Sequence, residues 1–115
     1  MRILFLTLCT VACAFTNPQI NAIRLLSSRL VLPPLVVVHD VVMKEGFAFT
    51  DASRIHVYID AHKLRCCPNT FHNVVAHELH HTMGAEHTDN TPVMKYAVQT
   101  TRDGLVFEDS FKFDM

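Results

Sequence analysis

The sequence predicts one small α+β domain. Segments of helical period alternate along it with short apolar runs of strand period, and 115 residues suffice for a single core. Two observations carry this. Apolar positions Ile20, Ala22, Ile23, Leu26 and Leu30 recur at helical spacing, as do Phe71, Val74, Val75, Leu79 and Met83. Between these segments stand a branched run, Leu35 to Val42, and an alternating one, Ile55 to Asp60. The formal net charge is −1, which offers no electrostatic reason to expect nucleic acid or an anionic membrane as partner.

The chain opens Met1-Arg2, runs apolar from Ile3 to Ala12 and reaches Ala12-Cys13-Ala14. A short positive start, an apolar core and an A-x-A site predict a signal peptide over residues 1–14. That implies a secreted mature chain, residues 15–115. The apolar stretch is too short to span a bilayer, so no stable membrane anchor is expected; the competing reading is a buried N-terminal helix. Asn17 and Pro18 suit the N-cap and first turn of the first helix, which Pro33-Pro34 ends. Leu35 to Val42 reads as a strand buried on both faces, with His39 and Asp40 at its end rather than as ligands. Lys44-Glu45-Gly46 is a turn. The clean alternation from Ile55 to Asp60, with Ile55, Val57 and Ile59 inward, fits a half-exposed edge strand. Pro68-Asn69-Thr70 opens the second helix, with Asn69 or Thr70 as N-cap.

The second helix carries the chemistry. His77-Glu78-Leu79-His80-His81-Thr82-Met83-Gly84-Ala85-Glu86-His87 reads H-E-x-x-H-x-x-G-x-x-H. Histidines four apart project from one helix face and can reach one zinc ion at about 2.0–2.1 Å. Glu78 flanks that ion, placed to take a proton from a bound water. Gly84 can adopt the left-handed conformation that ends a helix, which lets His87 return as third ligand. Three imidazoles leave a fourth position open, the arrangement of a catalytic zinc site. His80 falls in a free position of the pattern and reads as exposed or packed against the sheet.

This motif resembles that of the metzincin zinc peptidases, whose second hallmark is a methionine turn downstream. Thr91-Pro92-Val93-Met94-Lys95-Tyr96 matches it, with Met94 seven residues after His87. The resemblance implies a zincin domain: a twisted sheet, an active-site helix with two ligands, and Met94 as an apolar floor beneath the histidines. It further implies Tyr96 near the metal, as in astacins and serralysins. Thr88 stands closest to the serine of matrixins, and the balance tips slightly toward that branch. The implied activity is hydrolysis of peptide or protein substrates by a Glu78-assisted, zinc-bound water. The resemblance is dense only from about Phe71 to Tyr96. With one helix and two clear strands upstream, the scaffold reads as shortened, so the alternative is a secreted, non-catalytic zinc-binding remnant that binds a peptide or partner. The segment Leu105 to Phe113 is a short helix or a ragged end.

Removal of residues 1–14 leaves only Cys66 and Cys67. Adjacent cysteines rarely bond to each other. Pairing with another molecule, hence an oligomer through Cys66 or Cys67, or burial as free thiols is expected. A second metal site on Cys66, Cys67 and His72 lacks a fourth ligand at sensible spacing.

Overall fold

The computed structural model describes residues 3–6, 15–32, 35–88, 90, 92–94 and 103–107. The elements are β1 (Ile3–Leu6), α1 (Asn17–Arg29), β2 (Leu35–Asp40), β3 (Ala48–Thr50), β4 (His56–Ile59) and α2 (Pro68–Thr82), followed by a 3-10 turn at Pro92–Met94. The architecture is α+β, a mixed sheet with two helices against one face.

α1 begins one residue earlier than predicted. Thr16, not Asn17, is the N-cap: its hydroxyl accepts from the Gln19 amide, and the Gln19 side chain accepts from the Thr16 amide. This reciprocal capping box satisfies two otherwise orphan donors, which a lone Asn17 cap would not do. Pro18 lies in the first turn as expected. Ile23 and Leu26 are buried, and Gln19 Nε2 donates to the Ala61 carbonyl, tying α1 to the loop after β4.

The sheet order is β1-β2-β4-β3, with β2 parallel to both β1 and β4 and β3 antiparallel to β4. Two expectations are corrected here. β2 ends at Asp40 and is not buried on both faces: Val36 and Val38 are buried, whereas Val37 and His39 are half-buried and Leu35 is exposed. The helices cover one face only, so the branched run alternates in burial despite its uniform composition. Secondly, β4 has the predicted inward Val57 and Ile59 but is an interior strand. The edge is β3, whose three residues are too few to show a period of two. β1 lies inside the segment read as a leader and pairs with β2, Ile3 opposite Leu35 and Leu6 opposite Val38. The rest of that segment lies outside the described residues. Directly beyond it, Phe15 is buried in the core with its ring edge-on to Phe71, centroids 6.2 Å apart.

α2 is buried almost all round, not along one stripe: every residue from Thr70 to His80 is buried. It contacts α1, β3, β4 and the 3-10 turn, so few positions are left for solvent. Its N-cap is Cys67, without a side-chain cap bond, and neither Asn69 nor Thr70 fills that role. A distant residue does the capping instead: Asp103 Oδ1 accepts from the amides of both Asn69 and Thr70. Residues 103–107 form no helix; they run as a strap along α2, held by Asn69 Nδ2 on the Gly104 carbonyl and by Asn73 on Leu105 and Phe107. Residues 108–115 lie outside the described residues.

The adjacent cysteines form a disulfide, Cys66–Cys67, against the expectation that they would not bond to each other. The pair stands where the turn from Ala61 to Cys66 meets the start of α2. With both sulfurs in that bond, neither is a free thiol beside His72.

Candidate metal centre

α2 places His77 and His81 one turn apart, and the chain leaves the helix at Gly84, whose φ is +99°. That value is open to glycine and strained for other residues. The amides of Met83 and Ala85 both bond back to the His80 carbonyl, and the Gly84 amide to that of His81, so the turn is tight. His87 returns beside the helix. Its Nε2 lies 3.1 Å from His77 Nε2 and 3.2 Å from His81 Nε2, which themselves are 3.1 Å apart.

The opposite ring nitrogens decide what these contacts are. His77 Nδ1 lies 2.7 Å from the Val93 carbonyl and His81 Nδ1 2.8 Å from the Ala85 carbonyl. A carbonyl only accepts, so each Nδ1 carries the proton and each Nε2 presents a lone pair. Lone pairs converging at about 3 Å repel unless a cation lies between them, and fixing the outward N–H on a carbonyl is the usual way a ligating histidine is oriented. Burial holds His77 at about 4, well below its ordinary value, and lowers His81 too, which keeps both rings neutral for ligation. His77, His81 and His87 form a three-ligand group that could hold a metal ion.

Glu78 lies in the same cleft, of about 600 Å³, walled by the edge strand β3 and by Arg54. The Thr50 hydroxyl is 2.8 Å from Glu78 Oε1. Burial nonetheless pushes the Glu78 carboxyl up to about 7, with the Thr50 bond pulling the other way. Within the stretch read as a methionine turn, Pro92–Met94 forms the 3-10 turn: Met94 is buried, the Thr88 amide donates to its carbonyl, and Val93 supplies the His77 acceptor. Tyr96 lies outside the described residues. His80 is buried, its Nδ1 on the Ala76 carbonyl, and takes no part in the triad. Sequence reasoning missed Thr50, Val93 and Ala85, which act through a hydroxyl on a short strand or through backbone carbonyls; neither leaves a residue-type signature.

No family model, curated protein or solved structure matches the chain.

Proposed function

We propose that the chain is a zinc-dependent endopeptidase of the metzincin type. The observation that carries this reading is one cleft holding a convergent three-histidine face and a buried carboxyl, Glu78, on the same helix. Three neutral imidazoles with one open side suit zinc in a catalytic rather than a structural site. Zinc there would supply a Lewis acid that polarises a scissile carbonyl and acidifies the attacking water. Glu78, poised near neutrality, would serve as the proton acceptor for an attacking water and the donor to the leaving amine. Thr50 fixes the carboxyl's orientation, and the free edge of β3 offers main-chain groups to an extended peptide.

In this reading residues 1–14 serve as a secretory leader, whose removal takes β1 out of the sheet, and 15–115 form the catalytic domain, with Phe15 buried in its core. Among the described residues no helix is long and apolar enough to cross a membrane. Mass analysis of secreted material beginning at Phe15 supports the leader; retention of Met1 in secreted protein sinks it.

A second reading is a zinc-binding module that captures a peptide or partner without cleaving it. The three-residue length of β3 favours it, since so short a wall aligns little substrate. Zinc content and digestion of an unstructured protein, for wild type and Glu78→Gln, separate the two. One zinc in both with cleavage only by wild type supports the peptidase. One zinc in both with no cleavage supports the module. Absence of zinc from both rejects either reading.

A further inference from the structure

The geometry points to a second metal site, on the face of the sheet that the helices leave uncovered, formed by His39 of β2 and His56 of β4. His39 Nε2 and His56 Nδ1 face each other at 2.9 Å. Parallel pairing sets His39 opposite Tyr58 and His56 opposite Val37, so the two imidazoles meet diagonally across neighbouring strands. Both are half-buried, reachable from solvent yet held in place. The His39 ring stacks on Tyr58, centroids 4.6 Å apart and planes 12° from parallel, and Tyr58 stacks in turn on Phe49 at 4.6 Å. This row of rings fixes the orientation of the donor before any ion arrives.

The spacing suits ligation. Metal–nitrogen bonds of about 2.0–2.1 Å set at a right angle place two nitrogens about 2.8–3.0 Å apart, and at a tetrahedral angle about 3.3–3.4 Å. The observed 2.9 Å, an N–H···N hydrogen bond when no ion is bound, lies within reach of one ion shared by both nitrogens. Two cis imidazoles with water elsewhere suit a divalent first-row ion, and copper(II), which heads the affinity order for nitrogen ligands, is the probe. Each neutral imidazole carries one proton. With His39 protonated at Nδ1 and His56 at Nε2, both facing nitrogens offer lone pairs with no net release of protons. Asp51 lies close enough to act electrostatically on both histidines and adds negative charge that favours a cation. The site is independent of the peptidase reading.

The test loads the purified chain with zinc, adds copper(II), and follows copper uptake, zinc release and the paramagnetic spectrum. One copper taken up without loss of zinc, with a tetragonal two-nitrogen signature, is expected. His39→Gln and His56→Gln should each weaken that binding by roughly tenfold or more, as removal of one of two ligands costs at least as much as loss of an outer-shell partner. His62→Gln, an exposed control, should leave it unchanged. Copper uptake matched by zinc release, uptake unaffected by both ligand substitutions, or no uptake overturns the proposal. If α2 holds no zinc, total copper falling by one equivalent in the two ligand variants still supports the site, and an unchanged total rejects it.

Discussion

Glu78 and His77 are neighbours on α2, and burial drives them toward opposite limits. The Glu78 carboxyl is raised to about 7, so it contributes stability fully below its unfolded value near 4.5 and loses it as pH rises through 7. The His77 imidazole is lowered to about 4, so its contribution is present above 6.5 and lost as pH falls through 4. In the metal-free protein, Glu78→Gln lacks the loss on the alkaline side. Its advantage in urea unfolding should open between pH 4.5 and 7 and then level off, on the order of 3 kcal/mol. Parallel curves for the two proteins across that window would show that the carboxyl is not desolvated. At Gly84 the backbone sits at φ +99°, so Gly84→Ala should cost about 1–3 kcal/mol. It should also weaken metal binding, because His87 reaches the triad only through that turn; metal titration beside a thermal melt measures both.

At the scale of elements, α2 owes its start to a residue some thirty positions downstream. Asp103 accepts from two amides at the helix entry, the place where a carboxylate also meets the positive end of the helix dipole. Asp103→Ala should lower stability by about 1 kcal/mol, with a fall in Tm of roughly 4–8 °C for a domain of this size. The loss should be the same with and without metal, since the cap lies at the end of α2 opposite the triad. A metal-dependent loss would mean that the strap acts on the site itself. The sheet shows the same division of labour. β4 carries apolar packing on one face, while β3, at the edge, gives Thr50 to Glu78.

Across the whole molecule, the metal would join two residues of α2, the loop carrying His87 and, through Val93, the 3-10 turn. An ion present at 1,000 times its dissociation constant stabilises the fold by about 4 kcal/mol. Chelation should therefore lower Tm by several degrees, and restored zinc should reverse it. A Tm indifferent to chelator and zinc would remove the site from any role in the fold.

The two helices, the strands at Leu35 and His56, the spacing that puts His77 and His81 on one face, and the glycine that brings back His87 were all legible in the chain, because helical period and backbone permissiveness are local properties. The same local rules missed β3, whose three residues carry too little pattern, and misplaced β4 at an edge, because strand order depends on contacts between distant segments. Tertiary structure alone decided that α2 is buried all round, that Asp103 caps it, and that Thr50 and the Val93 and Ala85 carbonyls hold the site's protons in place. It also set His39 against His56. Each of these joins groups through space, with partners that no period or spacing along the chain records.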